Sequence, residues 1–179
     1  MRGLRSSDAP ALVGLMSRCD ATYRQWAPAG WEPPDGEPET ARLCERLRDP
    51  EHWSVGAFDA DELLVAAVMW EGLQNLERPE APSATAYVSA VFVEPVRWRQ
   101  GIATVLLDQA EEAMRQRGHH LARLWTPEGA PARRFYEGHG WRHDGRRTWH
   151  GRLRLAHVGY QKQLRPGRPK GLRAPTPVA

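Results

Sequence analysis

The chain has 179 residues, 41% of them apolar, enough for one globular domain with its own core. Its net charge of +3 is an uneven average: Arg165, Arg168, Lys170 and Arg173 fall in the last fifteen residues with no acid, and without them 21 basic groups face 22 acidic ones. A near-neutral body gives no reason to expect a nucleic-acid footprint. No apolar run approaches the ~18 residues of a membrane span, and no signal peptide opens the chain, so a cytoplasmic protein off the membrane is expected. Cys19 and Cys44 make no metal or redox spacing and read as reduced thiols, with no metal site expected.

In chain order, residues 1–5 suit a short strand. Asp8 is expected to cap a helix with Pro10 in its first turn and Leu12, Leu15, Met16 and Cys19 as its buried stripe. Residues 23–35 form an aromatic, Pro-rich connection holding Tyr23, Trp26 and Trp31, and residues 37–48 a second helix. Residues 52–58 and 63–70 read as a hairpin around Asp59-Ala60-Asp61. A polar loop at 74–83, with Pro79 and Pro82, leads into a strand at 84–93. Beyond Gly101 a helical pattern runs to about Arg117, with Ile102, Val105, Leu106, Ala110, Ala113 and Met114 inward and Asp108, Glu111, Glu112, Arg115 and Arg117 outward. Gly118 stops it. A short strand at 121–126, a helix at 131–137 and a hairpin of 142–149 with 153–162 complete the domain. No repeat and no domain boundary precede residue 164. The tail 165–179, with four prolines, is expected to be a solvated extension, a contact arm being the alternative.

One junction carries more information than the rest. A strand ending Val91-Phe92-Val93 passes Glu94-Pro95 and a basic turn, Arg97-Trp98-Arg99-Gln100, to Gly101-Ile102-Ala103 at a helix start. The unpaired first-turn amides and the positive end of the helix dipole make this an anion site.

Val93-Glu94-Pro95 with Arg99-Gln100-Gly101-Ile102-Ala103 resembles the acetyl-CoA signature of the GNAT N-acetyltransferase superfamily, V-x-P followed by Q/R-x-x-G-x-G/A. Downstream, Leu124-Trp125-Thr126 and Ala132-Arg133-Arg134-Phe135-Tyr136-Glu137-Gly138-His139-Gly140-Trp141 are similar to that family's next strand and its A-x-x-F-Y-E-x-x-G-F block. The resemblance spans residues 1–164. It implies an α/β (α+β) fold: a mixed, mostly antiparallel sheet of six to seven strands, about four flanking helices, and the fourth and fifth strands splayed to admit acetyl-CoA. Three positions depart from the pattern. Trp98 stands at the Q/R position, Gly129 where an Asn is frequent, and Tyr87 where some members carry a basic Glu in mid-strand.

The same resemblance implies the site. Val91, Phe92 and Val93 would flank the pantetheine arm. Trp98, Arg99, Gln100, Gly101, Ile102, Ala103 and Thr104 would form the pyrophosphate loop, and Thr126, Gly129, Arg133 and Tyr136 the far side. Tyr136 is the expected acid for the departing thiolate, with packing of its helix as the plain alternative. An alkylamine of pKa ~10 must lose a proton before attack, and Glu71 and Glu94 are the candidate acceptors, working through water. Tyr23, Trp26, Trp31 and Trp70 are expected around the acceptor, although Trp70 equally suits the core.

The function expected is acetyl transfer from acetyl-CoA, as cosubstrate, to the primary amine of a small molecule by direct attack. A peptide or protein acceptor, and a non-catalytic acyl-CoA sensor lacking a base, are the alternatives. No G-x-x-x-x-G-K-[ST] supports a nucleoside-triphosphate enzyme. A homodimer is compatible with the sequence but not specified by it.

Overall fold

The computed structural model describes residues 1–34, 37–73 and 84–164; the expected polar loop at 74–83 and the tail at 165–179 lie outside them. Seven strands form one sheet in the order β1-β2-β3-β4-β5-β7-β6. They are β1 (Arg2–Gly3), β2 (His52–Phe58), β3 (Leu64–Gly72), β4 (Thr85–Val93), β5 (Leu121–Pro127), β6 (Arg142–His150) and β7 (Leu155–Gln163). The helices are α1 (Ala9–Ala21), α2 (Glu37–Arg46), α3 (Ile102–Gln116) and α4 (Ala132–Gly138). Each neighbouring pair of strands is antiparallel except β4 and β5, which run parallel with α3 as the crossover. The expected element order and fold class are both observed.

Local chemistry explains the pieces. β3 is apolar without interruption from Leu64 to Trp70, and all seven of these residues are buried, because helices cover both faces of the sheet there. The turn before it is closed by Asp59, whose Oδ1 accepts from the amides of Asp61 at 3.1 Å and Leu63 at 3.0 Å. On one face α1 and α2 bury Leu12, Leu15, Met16, Cys19 and Leu43 against Leu64, Ala67 and Met69. On the other, α3 and α4 bury Leu106, Leu107, Ala110, Met114 and Tyr136 against Val68, Trp70, Val88, Leu124 and Tyr160.

Three local expectations are corrected. Asp8 makes no side-chain bond to the start of α1; its Oδ2 accepts from the Arg5 amide at 2.7 Å and so closes the short turn that precedes the helix. In α3 the inward stripe is shifted by one position: Leu107 is fully buried and Val105 is 44% exposed. The same rotation carries Glu111 inward, to 4% exposure. Its carboxylate is matched there, accepting from Lys162 Nζ at 2.7 Å on both oxygens and from Trp141 Nε1 at 3.1 Å. A charge at that depth is tolerated only because it is paired and hydrogen-bonded. Among the described residues no helix is long and apolar enough to cross a membrane.

Lys162→Ala should therefore destabilise the fold by up to about 3 kcal/mol, by removing the close counter-charge of the buried carboxylate and leaving it only Arg115 at 3.8 Å. Glu112→Ala, which removes the exposed partner of Arg115, should cost no more than about 1 kcal/mol. Thermal melts of the two variants side by side check the contrast.

Candidate active site

The parallel pairing of β4 with β5 runs only from Thr85↔Leu121 to Val88↔Leu124. Beyond it β4 continues to Val93 and β5 to Pro127 with no ladder between them. β4 stays paired to β3 on its outer edge and β5 to β7 on its own. A register shift in the β3–β4 ladder, where Met69 pairs Ala90 but Trp70 pairs Val88, makes Ser89 a bulge at the point of parting. The splay thus opens one residue later than the sequence suggested, since Leu124 is still paired and Trp125 and Thr126 are the first residues beyond the last rung. Backbone groups of Val91, Phe92 and Val93 on the inner edge have no strand partner, the condition for an extended ligand to take that place.

At the end of β4 the chain makes a short turn, Pro95–Arg97, and then two left-handed residues, Arg99 at φ 61° and Gly101 at φ 79°. The left-handed Gly101 passes directly into the right-handed first turn of α3, the conformational step that turns successive amides toward a common concavity. The first intrahelical bond of α3 is donated by Val105 to Gly101 O at 3.1 Å, and the amides of Ile102, Ala103 and Thr104 precede it. A Cβ at Gly101 would touch nothing within 4 Å, so within the protein alone the residue is glycine for its backbone angle and not for lack of space. Trp98 turns back on the strand and donates its indole N–H to Val93 O at 2.7 Å. Cys19 Sγ meets the same carbonyl at 3.3 Å, and burial pushes its thiol pKa up to about 12, so it stays protonated. Thr104 is committed to α4: its hydroxyl lies 3.0 Å from His139 Nε2, and His139 Nδ1 lies 2.7 Å from Phe135 O. A carbonyl only accepts, so in the neutral imidazole Nδ1 carries the proton and Nε2 accepts from Thr104.

Tyr136 is buried on α4, ringed by Trp141 and Tyr160 at centroid distances of 6.0 and 6.3 Å. Burial raises its pKa above the usual phenol value, with the neighbouring phenol of Tyr87 adding to the effect. Tyr23 is raised in turn by burial, then by Asp20, with Cys19 and Tyr136 as smaller contributors. Three phenols, on β4, α4 and the turn after α1, are thus linked electrostatically, Tyr87 to Tyr136 and Tyr136 to Tyr23. Tyr160 fixes the helix that carries Tyr136, donating to Glu137 Oε1 at 2.6 Å and accepting from Arg133 Nε at 3.0 Å. Arg133 also donates to Glu128 O at 3.0 Å. Thr126 is buried on β5, and Gly129 and Arg133 line a surface cleft of about 430 Å³ beside it.

The two glutamates expected as proton acceptors lie apart. Glu94 receives Arg18 Nε at 2.7 Å, a pair that ties α1 to the anion loop. Glu71 sits on β3 directly opposite Tyr87, paired with Arg46 at 3.2 Å and with His52.

The aromatic cluster is assembled as the sequence suggested, with one exception. Tyr23 lies 4.6 Å from Trp26 and 5.8 Å from Trp31, ring to ring. Trp31 is nearly buried and donates its N–H to Leu153 O at 2.6 Å, pinning this connection to the β6–β7 hairpin. Trp26 keeps some exposure and its ring edge would meet a Cβ on Gly129 at 3.0 Å. That contact accounts for the glycine: Trp26 occupies the space a side chain at this position would need. Trp70 is the exception. It is 1% exposed in the α3 side of the core, stacked on Trp53 at 5.9 Å, and does not reach the cluster.

Sequence reasoning missed a buried polar group beside Tyr23. Asp20 and Glu39 are 3% and 5% exposed, and Arg152 from the hairpin approaches them at 3.5 and 3.9 Å. The signal was readable, since Asp20 lies four residues after Met16 and so continues the apolar stripe of α1. Burial raises its pKa to about 6, Arg152 opposing and Glu39 adding. A folded-state pKa above the unfolded value of 3.8 means the native state binds the extra proton, so stability from this group is lost as pH rises from about 4 through 6. Asp20→Asn should therefore gain in melting temperature relative to wild type between pH 5 and pH 8, by several degrees if the difference is ~1–2 kcal/mol. Scanning fluorimetry at the two pH values measures it; a difference independent of pH would place Asp20 outside the titration.

The family model for the acetyltransferase (GNAT) family matches residues 20–141. No curated protein sequence matches the chain. Among solved structures, PaiA N-acetyltransferase from Thermoplasma acidophilum in complex with coenzyme A is 17% identical at TM-score 0.67, covering 90% of this chain and 96% of its own. A ribosomal-protein-alanine N-acetyltransferase from Brucella melitensis is 21% identical at TM-score 0.65, covering 90% and 98%. An aminoglycoside 6'-N-acetyltransferase complexed with coenzyme A is 19% identical at TM-score 0.62, covering 90% and 92%. At these identities the structures speak for the fold, while the family match spans more than half the sequence. The chain belongs to the GNAT acetyltransferase family.

Proposed function

We propose that this acetyltransferase moves the acetyl group of acetyl-CoA to the primary amine of a small molecule by direct attack. What supports the reading is the buried phenol of Tyr136, which packs in the core cluster that contains Val88 and Leu124, the last pair of the β4–β5 ladder, with Ile102 and Ala103 of α3 against it. Acetyl-CoA supplies the thioester. The amides from Arg99 to Thr104 would hold its pyrophosphate, and the inner edge of Val91, Phe92 and Val93 its pantetheine arm, with an amide near Phe92 stabilising the oxyanion.

The amine nitrogen bonds to the thioester carbon, the carbon–sulfur bond breaks, the thiolate takes a proton and the new ammonium loses one. Burial keeps the proton on Tyr136 throughout the neutral range. The same water-poor surroundings raise the basicity of a departing thiolate, so the two groups remain matched for transfer. Glu71 stands on the acceptor face of the sheet and is the better placed of the two glutamates to receive the amine proton through water; Glu94 is held by Arg18 at the loop. The closed aromatic end, with Trp31 tied to Leu153, favours a small acceptor over a folded protein. Tyr87 in place of a mid-strand glutamate is the feature that suits a non-catalytic sensor instead.

Acetyl-CoA at ~100 times its dissociation constant should stabilise the protein by about 2.7 kcal/mol. Gly101→Asp should abolish that gain, adding a charge and a strained left-handed backbone at the anion loop. No thermal shift of wild type with millimolar acetyl-CoA would overturn the donor assignment. Tyr136→Phe should bind acetyl-CoA normally and lose ~10²–10⁴ in turnover, read by thiol release. Unchanged turnover would leave Tyr136 a packing residue, and a protein that binds acetyl-CoA but acetylates no amine would be a sensor.

Trp26→Ala should raise the acceptor KM and leave the acetyl-CoA KM unchanged, consistent with losing a ring contact of ~0.5–1.5 kcal/mol. Equal KM for every accepted amine in variant and wild type would remove the ring from the acceptor site.

A further inference from the structure

The face of the sheet that carries α1 and α2 is covered by them only as far as β4: their core takes residues from β2, β3 and β4 and none from β5 or β7. On β5, Ala122 and Leu124 point into the α3 side of the core, so Arg123 and Trp125 emerge on this uncovered face. Register then sets out a polar row across the sheet, with Glu71 beside Tyr87, Tyr87 beside Arg123, and Arg123 beside Gln161. Two residue pairs further along, Trp125 lies beside Gly159. Asp144 from the bulge of β6 rests on Gly159, where an added Cβ would meet its Oδ1 at 2.5 Å, and Arg146 lies over the Trp125 ring at 4.6 Å. The result is a trough whose floor is Tyr87, Arg123 and Trp125, open beside the parting of β4 and β5.

Its charges do not cancel. Arg42 is paired with Glu39, Arg46 with Glu71, and Arg146 with Asp144. Arg123 has no ion pair among the described residues, and its Nε is buried with no hydrogen-bond partner. It acts on Asp144 only at longer range, and that carboxylate is already taken by Arg146 at 2.9 Å through Nε. A half-buried guanidinium with an unmet donor, on the central strand of the site, is costly unless something else completes it.

Resting on transfer to a small amine, we propose that Arg123 binds a carboxylate carried by the acceptor, so that the substrate is an amine with an acid group in the same small molecule, of the amino-acid type. The guanidinium fork matches a carboxylate with two parallel N–H···O bonds. The strands part at Trp125, two residues on, or about 7 Å along the strand. A carboxylate on Arg123 therefore leaves the amine of a short zwitterion within reach of the gap, with its side chain toward Trp26 and Tyr23. Tyr87 lines the row between Arg123 and Glu71, so acid recognition and proton acceptance occupy adjacent positions on one face.

The test compares free L-amino acids with their methyl esters as acceptors, by thiol release from acetyl-CoA, in wild type, Arg123→Gln and Arg123→Lys. The ester keeps the side chain and the amine but loses the anion, and its amine is the less basic, so intrinsic reactivity favours the ester. Wild type should nonetheless prefer at least one free acid over its ester. Arg123→Gln should raise the KM of that acid by ~10–100-fold, the cost of a lost charged hydrogen-bond pair, while the ester and acetyl-CoA keep theirs. Arg123→Lys should recover part of the loss, keeping the charge without the fork. Wild type that prefers esters or treats both alike overturns the assignment, as does an Arg123→Gln loss shared equally by acid and ester. The thermal shift with acetyl-CoA separates the two readings. Its absence in wild type overturns the transfer reading itself, whereas its presence with no amino acid accepted overturns Arg123 as a carboxylate site alone. A retained shift in Arg123→Gln shows that the variant is folded.

Discussion

The whole arrangement depends on a ladder that stops. β4 and β5 are hydrogen-bonded for four residue pairs and then separate, although both strands continue and both stay paired on their outer edges. Unpaired backbone inside a sheet is expensive unless a partner arrives, so the gap is the part of the sheet best suited to an extended ligand. The Ser89 bulge gives the strand its added twist at that point, and Trp98 and Cys19 secure the last carbonyl of β4 just before the anion loop. Loop, gap and phenol are thus three consequences of one interrupted pairing.

Around that gap the protein has fixed its polar groups to each other before any ligand enters. Thr104 and His139 clasp the start of α3 to the end of α4. Tyr160 holds α4 by residues on both sides of Tyr136. Glu94 and Arg18 tie the loop to α1. A site whose supports are already bonded loses little further entropy when it binds, which is what a reaction dependent on orientation requires. Among the described residues Arg123 stands out against this background as a guanidinium whose buried Nε has no hydrogen-bond partner.

The two faces of the sheet divide the work. α3 and α4 cover one face with an apolar core from which Tyr136 is presented. On the other, α1 and α2 stop at β4, leaving β5 and the β6–β7 hairpin to form an open polar trough with an aromatic end. Departures from the family pattern read naturally in this division. Gly129 makes room for Trp26, which belongs to the trough end. Tyr87 brings a phenol to the trough floor beside Glu71, on the neighbouring strand.

The sequence by itself determined the element order, the fold class and the family, because each rests on local signals: period, turn chemistry and two ordered motifs. It also placed the aromatic connection correctly, since Tyr23, Trp26 and Trp31 lie within nine residues of one another. Tertiary structure decided what depends on which side of an element meets the sheet. A rotation of α3 by about one residue exposed Val105 and buried Glu111, and Lys162 and Trp141, from distant segments, make that burial tolerable, with Arg115 one turn on at 3.8 Å. Trp70 went to the core because β3 is covered on both faces. Asp20 met Arg152 across 132 residues of chain, and among the described residues Arg123 has no ion pair, Asp144 being matched to Arg146 and Glu71 to Arg46. Such pairings are long-range choices among many chemically equivalent side chains, and periodicity along one strand or helix carries no information about them.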